Sequence, residues 1–303
     1  MISKYNLVLL LVLLVGFLSS CETKERLEDA ARSATRVVAD DLGQKVTLPA
    51  RVRKVVSLAP NLTEIVFAVD GGDRLVGVTS FCNYPERATK IAKVGDTLRP
   101  NTEAIVALKP DVVLVSTASQ LEAFSKVLEQ RKIAVVVTNP DSIDGVMKSI
   151  ELVSKVLGTE EKGRAVEKET REKIDEAKRL MRGKRPKAFV QIDESLFTVG
   201  RGSFITDALQ KLGMEVLTAD IPEAYPRISS ERALALDPEL IVISESPGNE
   251  KPNTAFARSA AVRNGNVIRI DADKLSRPGP RVADALLELA QKYVRKTETG
   301  DLD

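Results

Sequence analysis

Four aromatic residues and four arginines are the side chains best placed to meet a ligand. Phe81, Tyr84, Phe197 and Tyr225, with Arg99, Arg201, Arg227 and Arg277, all follow short apolar runs rich in Val, Ile and Leu. Aromatic rings offer stacking faces, and guanidinium forks grip carboxylates through paired N–H donors. Together they suit a bulky, partly apolar ligand with anionic or carbonyl oxygens. Machinery for covalent chemistry is sparse. The 303 residues include no histidine, which removes imidazole bases, Ser-His-Asp triads and the commonest metal ligand. Gly200-Arg201-Gly202 is too short for a dinucleotide loop, and no phosphate-binding G-x-x-x-x-G-K-[ST] run occurs. Asp193-Glu194 is a carboxylate pair that acid–base chemistry could use in an envelope enzyme. Hydrogen bonding within its loop is the role we favour. The expectation is a binding protein, not an enzyme, with no resident metal or cofactor.

The elements that must position these side chains alternate between strand and helix. Runs at Lys54–Leu58, Val76–Thr79, Asp111–Val115 and Ala134–Thr138 are followed by Ala188–Ile192, Leu240–Ser244 and Val267–Ile270. Continuous apolar runs of this length suit strands buried on both faces, as in parallel α/β sheets. Ligands of such sheets bind beyond the carboxyl ends of the strands, where Pro60, Asn61 and Ser116 also fall. Asn61 is placed to cap a helix, with Glu64 three residues on as in a capping box. Residues 159–184 are nearly all Glu, Lys, Arg and Ala, and read as one long solvated linker helix. The fold expected is two mainly parallel α/β lobes, residues 45–158 and 185–296, joined by that helix, with a short disordered tail over 297–303.

An internal repeat supports two lobes of similar topology. Residues 102–116 match residues 230–244 in type at every position except Ala104/Arg232 and Lys109/Asp237. Glu103 and Glu231 are equivalent positions in the two copies. Charge is nearly balanced, 45 Lys+Arg against 43 Asp+Glu, which gives no support to nucleic-acid binding.

The start of the chain carries an address. Lys4 precedes an apolar run over Leu7–Leu18, and Leu18-Ser19-Ser20-Cys21 places small residues before a cysteine. This is the pattern of a secretory signal over residues 1–20, too short to span a bilayer. The last four residues resemble the lipobox of bacterial lipoproteins, which implies a lipid on Cys21. Residues 21–44 read as a flexible tether. The expected location is the cell envelope, lipid-anchored to a membrane on its periplasmic or extracytoplasmic face.

Several segments resemble the iron-chelate and cobalamin solute-binding proteins of ABC importers: residues 55–64 (VVSLAPNLTE), 78–85, 103–111, 225–231 and Arg277-Pro278-Gly279-Pro280-Arg281. The likeness covers about residues 45–295. It implies the class III periplasmic-binding-protein architecture, with one long helix, a shallow cleft and little hinge motion. It also implies docking onto a permease dimer, served by ATPase subunits, through one glutamate per lobe. Glu103 and Glu231 match those positions. Phe81, Thr97, Ser116 and Tyr225 match aromatic positions that stack a corrin ring in cobalamin-binding members, and Arg277 matches a basic residue near the ligand. The ligand implied is a metal chelate, either a corrinoid such as cobalamin or a ferric siderophore, with haem as the alternative.

Overall fold

The computed structural model describes residues 34–116 and 127–299. An antiparallel hairpin comes first, β1 Thr35–Ala39 with β2 Lys45–Pro49. The first lobe then follows as β3 Val55–Ser57, α1 Pro60–Ala68, β4 Leu75–Val78, α2 Thr102–Ala107, β5 Val112–Ser116, β6 Ala134–Thr138 and α3 Ile143–Leu157. Helix α4, Glu160–Leu180, links it to the second lobe. That lobe runs β7 Lys187–Gln191, α5 Phe204–Lys211, β8 Glu215–Val216, α6 Ser230–Leu236, β9 Leu240–Glu245, α7 Ala260–Arg263, β10 Val267–Asp271, α8 Ala272–Leu275 and α9 Val282–Thr299.

Each lobe is built on a four-stranded parallel sheet, ordered β4-β3-β5-β6 in the first and β8-β7-β9-β10 in the second. The two orders are the same once the strands are matched lobe to lobe. The repeat explains this down to single bonds. Asn101 and Ser229 cap the two equivalent helices, accepting from the N–H groups of Ala104 and Arg232. Lys109 and Asp237, the pair that differs in charge, both have left-handed backbone, φ 49° and 37°. Position and not charge is what the turn before each proline requires. Strand β5 is buried along its whole length, as a central strand covered on both faces must be.

One hydrophobic cluster runs through both lobes. It passes from Val55 and Leu114 through Ile150 and Val153 of α3, then Ile174, Ala177 and Met181 of α4, to Ile205, Val242 and Leu286 of the second lobe. Gly163 and Thr170 of α4 are also buried, Val166 and Leu180 pack against the cluster, and most of its charged residues are exposed. Sliding the lobes apart would expose this apolar contact to water. Polar ties reinforce it. Asp207 of α5 accepts from the Ile143 N–H at the start of α3 (2.8 Å), and Lys211 bridges Asp207 and Asp144 at 3.0 and 3.1 Å.

This tie predicts a pH effect. The hydrogen bond and charge of Lys211, helped by Arg171, hold the Asp144 carboxyl below the usual aspartate range. Its stabilisation is complete above the unfolded-state pKa of about 3.9 and is lost as pH falls through the lower native value. Thermal scans of wild type and Asp144→Asn should therefore differ by a constant amount from neutrality to about pH 5, and converge in stronger acid. The pair is exposed, so the gap should not exceed about 2–4 °C. A gap that widens below pH 4 would contradict the assignment.

Three expectations are corrected here. Residues 35–39, expected in the 21–44 tether, form β1. Asp40 explains why: its carboxylate accepts from the N–H groups of Leu42 and Gln44 and, at 3.4 Å, from Val137 of β6. Arg36 also donates to the carbonyls of Lys155 and Val156 at the end of α3. The expected tail starting at 297 is helical to Thr299. Helix α1 is capped by Ala59 and opens with Pro60, so Asn61 is not its cap and Glu64 closes no capping box. Proline is preset for a first helical position, which moves the helix start upstream. The signal over residues 1–20 and the lipid site Cys21 lie outside the described residues. Among the described residues no helix is long and apolar enough to cross a membrane.

Candidate functional site

The carboxyl ends of the two sheets meet. In the first lobe, Pro60 and Asn61 open α1 directly after β3, and Phe81 and Tyr84 lie in the loop after β4. In the second, residues 273–281 follow β10. Bonds cross between these loops. Asn61 Nδ2 donates to the Pro278 carbonyl at 3.4 Å, and Asn83 Nδ2 to Asp273 Oδ2 at 2.7 Å. Arg277 and Arg281 reach Glu64 of α1, whose side chain is 2% exposed. Arg281 grips it as a fork, Nε to Oε2 at 2.9 Å and Nη2 to Oε1 at 2.6 Å. Arg277 Nη1 adds a bond at 2.8 Å. Burial opposes the Arg281 charge, but Glu64 outweighs it and holds the Arg281 pKa above the ordinary arginine value.

Phe81 is 57% exposed and Tyr84 47%. The Arg281 guanidinium lies 4.0 Å from the Tyr84 ring centre, a cation–π contact that fixes the ring's tilt. Cys82, between them, is buried and free. Its sulfur touches the hydroxyls of Thr63 and Thr79, at 3.1 Å each.

The second lobe's aromatic cluster comes from a paired stretch. Thr198 donates to the Pro226 carbonyl, Gly200 to that of Ala224 and Arg201 to that of Ile221. Phe197 pairs with Arg227 in a short antiparallel bridge, and Arg227 Nε donates to the Ser195 carbonyl at 3.0 Å. Phe197, Arg201, Tyr225 and Arg227 are thereby held together. Gly200 is obligatory, because a Cβ there would collide with the carbonyls of Glu223 and Ile221. The Gly200-Arg201-Gly202 run thus serves close packing of the Tyr225 loop. Tyr225 presents a face that is 47% exposed. Burial around its hydroxyl pushes the phenol pKa up, against an opposing hydrogen bond from Ser203.

Other expected residues fall differently. Arg277, read as a ligand contact, has a side chain only 12% exposed and is committed to Glu64, Asn83, Asp273 and the Phe81 carbonyl. Its fork is spent on the protein because the acceptors of the facing lobe surround it. Ser116 is 6% exposed at the end of β5. Arg99 stands on a turn closed by Asp96, its side chain 90% exposed and 4.0 Å from that carboxylate. Neither is bonded to the aromatic loops. Asp193 accepts from the Ser195 N–H and hydroxyl and from the Phe197 N–H, so its carboxylate braces the loop. Glu103 and Glu231 are exposed, each in the first turn of its helix, as the repeat implies. Sequence reasoning missed the roles of Glu64, Asn83 and Arg281. The signal available was an acidic residue inside the apolar stretch Leu62–Val69 and two arginines four residues apart.

Two lobes of one topology, a rigid connecting helix and aromatic loops at facing strand ends define a bilobal solute-binding fold. Residues 55–274 match the periplasmic binding protein family, and the chain belongs to it. It is 28% identical over 304 residues to YvrC of Bacillus subtilis (strain 168), described as an uncharacterised ABC transporter substrate-binding lipoprotein; the match covers 96% of both chains. It is 29% identical to the vitamin B12-binding protein of Vibrio cholerae, over 80% of this chain and 92% of that one. The crystal structure of the periplasmic vitamin B12 binding protein BtuF of Vibrio cholerae superposes with a TM-score of 0.71 at 27% identity, covering 80% of this chain and 97% of that one. The periplasmic haem-binding protein RhuT from Roseiflexus sp. RS-1 shares the fold, with a TM-score of 0.72 at 24% identity over 82% of this chain and 100% of that one.

Proposed function

We propose that this protein is the substrate-binding lipoprotein of an ABC importer. It captures a metal chelate between its lobes and hands it to a membrane permease dimer driven by ATPase subunits. The observation that carries this reading is the exposure of Phe81 and Tyr225 on loops at the carboxyl ends of the two sheets, one in each lobe. Such rings provide flat apolar faces for a planar macrocycle. The B12-binding relatives favour a corrinoid; a ferric siderophore and haem are the other members of the class. Glu103 and Glu231 are the docking charges, and a lipid on Cys21 holds the protein at the membrane.

The test is a thermal-shift series on the purified chain in detergent, with cyanocobalamin, cobinamide, haemin and ferric siderophores added in turn. A ligand at a hundred times its Kd should stabilise the fold by about 2.7 kcal/mol. Tyr225→Ala should weaken the binding of the active ligand by roughly 1–3 kcal/mol through loss of the stacking face. The reading fails if no chelate shifts the melting temperature. An unchanged titration for Tyr225→Ala would remove that residue from the site.

A further inference from the structure

We propose that Glu64 is a positioning residue of the ligand site. Through Arg277 and Arg281 it clamps the first lobe's aromatic loop to the second lobe, so the loop keeps its binding geometry only while the lobes are engaged. Separating them releases the ligand. This inference rests on the binding reading above.

Glu64 lies on α1 and presents nothing to the cleft; its side chain is 2% exposed. What it holds does face the ligand loop. The Arg277 Nη1 that donates to Glu64 also donates to Asn83 Oδ1 at 2.8 Å, while Nη2 donates to the Phe81 carbonyl at 3.3 Å. Arg281, forked onto the same carboxylate, carries the Tyr84 ring on its guanidinium face. Asp273 completes the set, pairing with Arg277 at 2.7 Å and accepting from Asn83. Phe81, Asn83 and Tyr84 are therefore each tied to the second lobe by a different atom group. Cys82 is tied to Thr63, the neighbour of Glu64 on α1.

A clip that served only stability would have no need to involve the ligand loop. Here one guanidinium serves the lobe contact and the Phe81 loop at once. The charges of Glu64, Asp273, Arg277 and Arg281 cancel within the cluster, so it is complete when closed. Once the lobes part, Glu64 loses both guanidiniums and Arg281 loses its carboxylate, while Arg277 keeps Asp273. The bonds to both arginines share the one Glu64 carboxylate, so they form or break with it. Glu103 and Glu231, one on each lobe, give a docked partner a hold on each side of it.

The experiment has two readouts, both on the full chain in detergent. The first is the dissociation rate of cyanocobalamin and of haemin by stopped flow. The second is the inter-lobe distance distribution between spin labels at Thr89→Cys and Ala257→Cys, exposed positions in the first and second lobes. Glu64→Gln should release ligand about tenfold faster or more and broaden the distance distribution. Asp273→Ala, at a half-exposed position, should shift both in the same direction by less. A merely structural Glu64 would lower the melting temperature and leave both readouts of the folded protein unchanged, which would overturn the proposal. If Glu64→Gln does not fold, wild-type behaviour of Asp273→Ala overturns it. If neither probe binds the wild type, the corrinoid and haem readings are wrong, and the distances alone decide: broadened supports the clamp, unchanged rejects it.

Discussion

Replacing Glu103 and Glu231 together with alanine should abolish uptake and leave chelate affinity intact. Both carboxylates are exposed in the first turn of repeat-related helices, and neither forms an ion pair among the described residues. The Glu231 carboxyl lies below the usual glutamate range because its own backbone N–H and the Ser229 hydroxyl bond to it. A permease dimer with two-fold symmetry would present the same basic group twice, and the two lobes present the same acid twice. Truncating one partner of a desolvated charge pair costs about 2–5 kcal/mol. Losing both should weaken docking by roughly a thousandfold or more. The helix caps Asn101 and Ser229 remain, so the melting temperature should stay close to that of wild type. Transport assays beside binding titrations check this, and normal uptake by the double variant would refute the docking assignment.

Cys21→Ser should move the protein from the membrane to the soluble envelope fraction and end its labelling by fatty acid. One acyl chain gives marginal, reversible attachment, and stable anchoring needs a second signal. A diacylglyceryl group supplies two chains on one sulfur. Uptake should fall as well, since the anchor raises the effective concentration of the binder near its permease. The leash is shorter than the sequence suggests. With β1 beginning at Thr35, residues 22–34 remain, which span no more than about 45 Å at roughly 3.5 Å each. Lipid labelling of Cys21→Ser equal to wild type would place the attachment elsewhere.

How legible the site was depended on whether its residues speak locally. Phe81, Phe197 and Tyr225 could be nominated because an apolar run, a strand end and an aromatic residue are sequence neighbours. Glu103 and Glu231 could be paired because the repeat aligns them. Glu64 was misread because its local surroundings imitate a capping box. Its carboxylate is buried against arginines more than two hundred positions away, and no local signal carries that distance. Arg277 was expected near the ligand; its spacing shows where it emerges, and only the structure shows Glu64 and Asn83 on its guanidinium. The tether was overextended because β1 is only five residues long and is held by pairing with β2 and by Asp40 and Arg36 binding elements a hundred residues on.

By itself the sequence determined the strands, the repeat, the long linker helix and the absence of histidine chemistry, because each follows from local composition and period. It thereby determined two parallel α/β lobes and a binding protein. Tertiary structure alone decided how the lobes join: a shared apolar core through α3 and α4, and a buried carboxylate gripped from across the cleft. The reason is physical. Burial and charge pairing are properties of a place in space, and a residue acquires them only when distant parts of the chain arrive beside it.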